Sequence, residues 1–282
     1  MRSVETAEGV PDLAAVREGF SRKADPYDRR IATDPADAWA RGLVRAEVVR
    51  RASPGDRILE LNAGTGADAA WLADRGYVVH ATDVAPGMVK RIAARAAERP
   101  GRMTAEERSF TDLAGIAGAP FDIVLSNFGG LNCTNRLDLV GRDVARVLRP
   151  GGHAVLVVMP PISPWEHALV ARGDWRTAIR RWRRGGVLAN IEGVPVRTWY
   201  HRPDRVAAAF GPGFRLVGVR SIGCFALPLM FERFPSRHPR VTAAGRWLDE
   251  RLGSMPPFNR VGDFCIVTLE RREGATKAVG AG

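Results

Sequence analysis

A glycine-rich turn follows an apolar run and precedes a helical stretch, and it carries the strongest chemical signal in the sequence. The segment ILELNAGTGADAA (58–70) has the spacing Gly64-x-Gly66-x-x-Ala69, which lets the backbone bend sharply and lets a ligand approach it closely. The helix behind the turn presents free N–H groups and the positive end of its dipole. A strand-to-helix turn that binds no ligand has the same pattern, so the glycines alone leave both interpretations open.

Two carboxylates flank this turn and restrict the kind of ligand that it could bind. Asp83 ends the next apolar run, 23 residues after Glu60. In a βαβ unit its carboxylate lies beside the glycine turn, where it can accept hydrogen bonds from both ribose hydroxyls of a nucleoside. Asp83 could instead cap the helix that starts near Pro86. Glu60 would repel the pyrophosphate of a dinucleotide, whereas the cationic amino and sulfonium groups of S-adenosylmethionine tolerate a carboxylate.

The elements that position these residues alternate between strands and helices. Short runs rich in β-branched residues predict strands that are buried on both faces of a parallel sheet, and helical stretches lie between them. The predicted strands are 57–61, 77–83, 121–128 and 153–159, with a weaker one within 102–110; the predicted helices lie near 67–75, 86–99 and 135–148. This alternation predicts a doubly wound α/β sheet with right-handed crossovers.

The alternation stops after residue 159, where long insertions separate the later strands FRLVGVRSI (214–222) and DFCIVTLER (263–271). Connections of this length in a compact domain are usually functional. The expected divisions are an N-terminal helical segment over 1–52, a core over 53–159, a cap insertion over 160–202, core again over 203–223, a second cap insertion over 224–260, the last core strand over 261–272 and a disordered tail over 273–282.

Composition sets outer limits on the function. The 282 residues are 45% hydrophobic and 26% charged, which is ordinary for a globular protein, and the net charge is +11. No apolar run reaches the length of a membrane-spanning helix and the first residues do not resemble a secretory signal, so we expect a cytoplasmic protein. Three widely spaced cysteines predict neither disulfides nor a metal site. Only three of the 42 basic residues are lysines, and the scattered arginines do not predict nucleic-acid binding.

Four motifs in order resemble those of the class I S-adenosylmethionine-dependent methyltransferases, and most of all the bacterial small-molecule group. They are ELNAGTG (60–66), ATDVAPGM (81–88), FDIVLSNFGGLNC (121–133) and VLRPGGHAVLVV (147–158). Asn62 replaces the first glycine of the usual pattern, and asparagine tolerates a left-handed backbone better than other residues do. The resemblance implies a Rossmann-like, doubly wound, seven-stranded sheet that is mostly parallel with an antiparallel last strand. It also implies that residues 1–52 form a helical lid.

The same resemblance implies which residues bind S-adenosylmethionine. They are Glu60, Asn62, Gly64 and Gly66 for the methionine portion, Asp83 for the ribose, Val84, Met88, Ser109 and Phe110 for the adenine side, Asn127 between cofactor and acceptor, and Tyr27 and Arg41 from the N-terminal segment. Asp112 is an alternative to Ser109, and Phe20 would join Tyr27 in an aromatic lid. Arg41 would pair with the cofactor carboxylate, or it would simply lie on a solvated helix face.

Methyl transfer requires alignment of donor and acceptor and exclusion of water, and it needs a base only for some acceptors. His167, Glu166 and His201 are the candidate catalytic residues, because they lie in the first cap insertion or at its end. The apolar and aromatic cap favours a small, partly hydrophobic organic acceptor that is methylated on oxygen or nitrogen, as in specialised metabolism. An RNA or protein methyltransferase that uses an arginine-rich patch is the alternative.

That patch is the segment DWRTAIRRWRRGG (174–186), which places Trp175 and Trp182 seven residues apart among five arginines. Three interpretations remain open at this point. The segment could be a solvated amphipathic helix whose tryptophans pack on the body of the protein. It could hold an anionic substrate or carrier, or it could contact a membrane surface or nucleic acid.

Overall fold

A computed structural model of the protein describes residues 11–227 and 237–274. Its helices are α1 (Leu13–Thr33), α2 (Pro35–Arg51), α3 (Ala67–Ala73), α4 (Pro86–Ala97), α5 (Leu137–Val147), α6 (Pro164–Ala168), α7 (Trp175–Ile179), α8 (Pro203–Ala209) and α9 (Pro239–Leu252). Its strands are β1 (Arg57–Leu61), β2 (Val78–Asp83), β3 (Met103–Glu107), β4 (Phe121–Ser126), β5 (Leu148–Val158), β6 (Val187–Ile191), β7 (Val194–Thr198), β8 (Phe214–Ile222) and β9 (Phe264–Arg271).

Seven strands form one sheet in the order β3-β2-β1-β4-β5-β9-β8. Strands β1 to β5 pair in parallel, and β9 pairs antiparallel with both β5 and β8. The predicted fold class, a mostly parallel doubly wound sheet with an antiparallel last strand, is therefore confirmed. The strand order reverses between β1 and β4, and ligands bind in such sheets outside the carboxyl ends of the strands at this reversal. We call this side of the sheet the carboxyl edge.

Helices cover both faces of the sheet and bury most residues of its central strands. On one face, Val44 and Val48 of α2 pack in a cluster with Ile123 of β4. On the other face, Val140 and Val144 of α5 pack in a cluster with strand residues that include those of β4 and β5. Burying each such aliphatic side chain stabilises the fold by about 1.5–3 kcal/mol. The core thus holds the carboxyl edge rigidly.

Local sequence accounts for most element ends, with one exception at β5. Helix α2 begins at Pro35, where the side chain of Asp34 accepts a hydrogen bond of 2.8 Å from the Ala36 N–H. The strand predicted over 153–159 begins earlier, at Leu148, because Leu148 pairs with Phe121 before a register shift in the ladder. The glycines and proline that follow α5 end the helix as expected but do not interrupt the strand.

The first cap insertion contains an antiparallel hairpin formed by strands β6 and β7. The hairpin packs against α1, where a side-chain carbon placed on Gly19 would lie 3.3 Å from the Cβ atom of Ile191. The segment predicted as one continuous helical face from residue 174 consists of α7 followed by a 3-10 turn over Arg180–Trp182. Trp175 and Trp182 are both more than half exposed, and the ring of Trp182 also contacts the His167 ring, so the predicted packing of both tryptophans on the body of the protein is at most partial.

Some predictions concern residues outside the described part of the chain. The predicted disordered tail over 273–282 is described only to residue 274, and the second cap insertion over 224–260 is described except for 228–236. Within the residues that the structure covers, no helix is both long and apolar enough to span a membrane.

Candidate active site

A cavity of about 540 Å³ lies at the carboxyl edge, and α1 and the β6–β7 hairpin contribute to its walls. Most of the residues that the sequence predicts for the site line this cavity. They are Tyr27, Arg41, Glu60, Asn62, Gly64, Asp83, Val84, Met88, Phe110, Asn127 and Glu166. Gly66, Ser109, His167 and His201 are not part of its lining.

The glycine turn has three left-handed residues, Asn62, Gly64 and Gly66, with φ of 44°, 58° and 78°. Asn62 adopts a left-handed backbone conformation that is rare for residues other than glycine, and its side chain forms hydrogen bonds with two residues. Its Nδ2 donates to the carbonyl of Asn127 at 3.0 Å, and its Oδ1 accepts from the Ser126 hydroxyl at 2.7 Å. The asparagine that replaces the usual glycine therefore ties the end of β1 to the end of β4. Gly66 instead faces the interior of the protein, where it permits α4 to pack closely.

Asp83 makes contacts that fit both roles considered from its sequence. Its Oδ2 accepts from the Gly64 N–H and its Oδ1 accepts from the Ala85 N–H, each at 2.9 Å. Asp83 therefore orders the glycine turn and also the start of α4. Each carboxylate oxygen can accept a further hydrogen bond. Burial raises the pKa of Asp83 to about 6, and the backbone N–H groups oppose this rise.

Glu60 presents a buried carboxylate oxygen that the protein itself leaves unpaired. The side chain lines the cavity and is 1% exposed, and its Oε2 has no hydrogen-bond partner among the described residues. Burial, followed by the nearby Asp68 carboxylate, raises the pKa of Glu60 well above its usual value. Leaving a buried acceptor unpaired costs about 1–3 kcal/mol. A cationic hydrogen-bond donor such as the amino group of S-adenosylmethionine fits this position chemically.

Arg41 is buried, so the alternative that placed it on a solvated helix face is wrong. The guanidinium forms ion pairs with Asp37 and Asp68, and its Nη2 donates to the Tyr27 hydroxyl at 2.9 Å. Asn127 joins the same network, since its Nδ2 donates to Asp68 Oδ2 at 2.7 Å. The network links α1, α2, α3 and the end of β4 behind the glycine turn. Arg41 reaches the cavity with its charge already balanced by two carboxylates.

Glu166 is the only one of the three candidate catalytic residues that lines the cavity. Both of its carboxylate oxygens accept hydrogen bonds, at 2.9 and 2.7 Å from Arg180 and at 2.7 Å from Arg181. Burial alone would raise the pKa of Glu166, but the two guanidinium groups outweigh it and hold that pKa below its usual value. A carboxylate stabilised in this way is a weak base, and its contacts make it a structural anchor for the cap.

The two histidines proposed for catalysis lie elsewhere, contrary to expectation. His167 Nδ1 lies 2.6 Å from the Ser163 carbonyl, and its ring packs on Trp182 with 5.0 Å between ring centroids. His201 is fully buried, and its Nε2 lies 2.8 Å from the Thr134 carbonyl. Burial lowers the pKa of His201 to about 4, which keeps the ring neutral at physiological pH. Short local contacts and core packing place both rings outside the lining of the cavity.

Ser109 also lies outside the cavity lining. Its hydroxyl is 2.9 Å from the Thr111 hydroxyl in a local turn, while the neighbouring Arg108 and Phe110 do line the cavity.

Two further residues, Lys23 and Asp68, line the cavity but were not predicted from the sequence. Lys23 is one of three lysines in a chain of arginines, and this rarity was an available signal. Asp68 is an acid in the first turn of an alanine-rich helix, which was a weaker signal.

Comparison with known proteins agrees with this geometry. A family model described as a methyltransferase domain matches residues 58–152. Demethylmenaquinone methyltransferase of Beutenbergia cavernae is 31% identical over 166 residues, which cover 55% of this chain and 62% of that protein. The Mycobacterium marinum protein of the same name is 29% identical over 210 residues, which cover 70% and 81%. The match thus spans about three fifths of the Beutenbergia relative's length.

Solved structures share the fold across nearly the whole chain. The 1,6-didemethyltoxoflavin-N1-methyltransferase of Burkholderia thailandensis has a TM-score of 0.56 and 18% identity, with 96% of this chain and 94% of that chain covered. The CcbJ methyltransferase of Streptomyces caelestis has the same score and identity, with 90% and 98% covered. Residues 58–152 thus match a methyltransferase domain, and the fold is the one seen in solved methyltransferases. Both findings agree with the resemblance that the sequence motifs indicate.

Proposed function

We propose that the protein is an S-adenosylmethionine-dependent methyltransferase that acts on a small, partly hydrophobic organic acceptor. The observation that carries the proposal is the buried, unpaired oxygen of Glu60, a residue that lines the same cavity as Asp83. Glu60 would bind the amino group of the cofactor and Asp83 the ribose hydroxyls, while Val84, Met88 and Phe110 would contact the adenine side. The cofactor supplies a methyl group activated by a sulfonium centre.

The residues of this chain contribute orientation and exclusion of water. Phe20 and Tyr27 of α1 line the cavity, and a side-chain carbon placed on Gly64 would lie 3.4 Å from Tyr27 Cε1, so the helix covers the site beside the glycine turn. The Arg41 network holds the glycine turn, α1 and the end of β4 in one arrangement before any ligand binds. Alignment of two reactants in a preformed site accounts for a large part of the rate enhancement in such reactions.

The cavity combines apolar walls with two cations, Lys23 and Arg30, that form no ion pair with the described residues. Its apolar walls include Val196, Ile191 and Phe264. Lys23 lines the same cavity with its Nζ 5.5 Å from the ring centroids of Phe20 and of Tyr27, and no carboxylate of the described residues lies within salt-bridge distance. Burial, followed by nearby Arg30, lowers the pKa of Lys23. These features favour an acceptor that has an apolar body and a hydroxyl or anionic oxygen.

The test is product formation by the purified protein. Release of S-adenosylhomocysteine would be measured with S-adenosylmethionine and a panel of hydroxyl, carboxyl and amine acceptors. Demethylmenaquinone, the acceptor in the names of the relatives, belongs in that panel. We expect turnover of at least one hydroxylated apolar acceptor, and we expect calorimetry to detect binding of S-adenosylmethionine but not of NADH. Absence of S-adenosylmethionine binding would refute the proposal.

A matched pair of variants tests the acceptor end separately. Lys23→Met removes an unpaired cation from the cavity lining, and Lys90→Met removes an exposed lysine from α4. We expect Lys23→Met to raise the KM for the acceptor or to lower kcat by a larger factor than it weakens cofactor binding, and we expect Lys90→Met to change none of these quantities. Equal kinetics in the two variants would remove Lys23 from acceptor recognition.

A further inference from the structure

The first cap insertion carries a surface that combines large apolar side chains with arginines. We define the cap surface as Val170, Arg172, Trp175, Arg176, Trp182, Arg183 and Arg184. Val170, Trp175 and Trp182 are 55%, 59% and 58% exposed. Single exposed apolar residues are common on proteins, but two exposed tryptophans within eight residues are not required by the fold. Their exposure indicates a function on the outside of the cap.

The arginines of the cap surface form no ion pairs with the part of the chain that the structure describes. Arg172, Arg176, Arg183 and Arg184 have no carboxylate within salt-bridge distance among the residues described. The two arginines between them behave differently, because Arg180 and Arg181 pair with Glu166 and, for Arg181, also with Asp263. The one acid of the segment, Asp174, accepts a hydrogen bond from the Thr177 N–H. A net positive surface with exposed indoles therefore faces solvent.

We propose that the cap surface docks the protein on the surface of an anionic lipid bilayer. Indole rings favour the boundary between head groups and acyl chains, where one side of the ring is apolar and the N–H meets water. Arginines bind lipid phosphates, and each cation near an anionic surface adds to the attraction. Single-stranded RNA also binds arginine and tryptophan, but an exposed aliphatic side chain such as Val170 contributes to insertion and not to base stacking.

The cap surface belongs to the same chain segment as two arginines that line the cavity, so docking would bring the cavity close to the bilayer. Arg180 and Arg181 line the cavity, and they lie between Arg176 and Trp182 in the chain. The same short segment thus has a bilayer-facing side and a cavity-facing side. Given the function proposed above, an amphiphilic acceptor dissolved in the bilayer would reach the site with little passage through water. The docking itself does not depend on methyl transfer.

The experiment is co-sedimentation of the full chain with vesicles, without cofactor or acceptor. Vesicles of phosphatidylcholine alone would be compared with vesicles that also contain phosphatidylglycerol. We expect binding to the anionic vesicles that weakens with added salt. We expect the double variants W175S/W182S and R183S/R184S each to reduce the partition coefficient by about tenfold or more. Trp247→Ser is the matched control, because Trp247 is 52% exposed on α9 and lies outside the cap surface.

The outcomes separate this proposal from its alternatives. Thermal unfolding of R183S/R184S should match wild type because these side chains are exposed, and that of W175S/W182S should stay close to it, with only the contact between Trp182 and His167 lost. Binding of anionic vesicles that both double variants retain would refute the proposal, and so would equal binding to neutral vesicles. Binding of a single-stranded RNA oligonucleotide with no binding to vesicles would assign the surface to nucleic acid instead. A protein that binds vesicles but turns over no acceptor would leave the docking intact and refute only the proposed function.

Discussion

Substitution Glu60→Gln is predicted to change stability and cofactor affinity in opposite directions. The wild-type carboxylate is buried with an unpaired Oε2, and burial and Asp68 raise its pKa well above the usual value. A group whose pKa is raised by folding stabilises the fold at low pH, and that contribution is lost as the pH rises through the raised pKa. Glutamine has nearly the same shape and never ionises, so it avoids this loss.

The magnitudes follow from the environment of the side chain. Removing a buried, unpaired charge should raise the free energy of unfolding of the cofactor-free protein by about 1–3 kcal/mol at about pH 8. The same substitution removes a charge-assisted hydrogen bond to the cofactor amino group, which contributes about 1.5–3 kcal/mol. The dissociation constant for S-adenosylmethionine should therefore increase by about 10- to 150-fold.

Two assays on the same preparations measure these effects. Urea denaturation of the cofactor-free proteins at about pH 5 and about pH 8 gives the stability difference, which should grow with pH. Titration calorimetry with S-adenosylmethionine and with S-adenosylhomocysteine gives the affinities. Glu98→Gln is the control, because its carboxylate is exposed and, among the described residues, pairs only with Arg99. We expect that control to match wild type in both assays.

The reasoning fails if Glu60→Gln binds the cofactor as tightly as wild type, because the unpaired oxygen would then have no ligand partner. A loss of stability at about pH 8 would show instead that the Glu60 carboxylate is satisfied in the cofactor-free protein. Either result would contradict the role of the unpaired Glu60 oxygen in cofactor binding, on which the proposed function depends.

Three further predictions concern other parts of the site. Asp83→Ala should weaken cofactor binding by about 1.5–3 kcal/mol in calorimetry, and wild-type affinity should fall as the pH drops through about 6, since the Asp83 carboxyl then becomes protonated. Gly130→Ala should lower the free energy of unfolding by about 1–3 kcal/mol in urea denaturation, because the new carbon would lie 2.2 Å from Asn62 Cγ. His201→Phe should lower stability by about 1–3 kcal/mol but leave the pH–rate profile unchanged.

Each of these predictions can be contradicted separately. Wild-type cofactor affinity in Asp83→Ala would place the ribose elsewhere. Wild-type stability in Gly130→Ala would mean that the Asn62 side chain can move aside freely. A shifted pH–rate profile in His201→Phe, measured as kcat/KM, would restore His201 as a catalytic candidate. Gly185→Ala is the matched control, because an added carbon there would meet nothing within 4 Å and Gly185, like Gly130, does not have a left-handed backbone.

Local sequence patterns were sufficient for the core and for the cofactor end of the cavity. The alternation of buried strands and helices between residues 57 and 158 predicted the sheet, because strand and helix periodicities are properties of neighbouring residues. The glycine turn, Asn62 and Asp83 were predictable for the same reason: backbone conformation in a turn depends on the residues of the turn. In a parallel sheet the carboxyl ends of neighbouring strands lie at the same edge, so these residues come together once the sheet forms.

The network around Arg41 could not be read from the sequence. Arg41 has ordinary helical spacing on α2, and only packing of α2 against α3 and α1 brings it to Asp68 and Tyr27. The histidines show the converse, since His201 looked reactive in the sequence and is enclosed by the core. Burial and ion pairing depend on contacts between distant segments, so no local pattern could decide them.

The sequence by itself thus determined the sheet, the glycine turn and the class of nucleoside ligand, because these follow from short-range periodicity and turn chemistry. Only the tertiary structure decided which charged groups are paired and which are free. It enclosed Glu60 without a partner for Oε2, balanced Arg41 with two carboxylates, and left Lys23 in the cavity and Trp175 and Trp182 on the surface. Electrostatic interactions act through space, and folding sets the distances and the solvent exposure on which they depend.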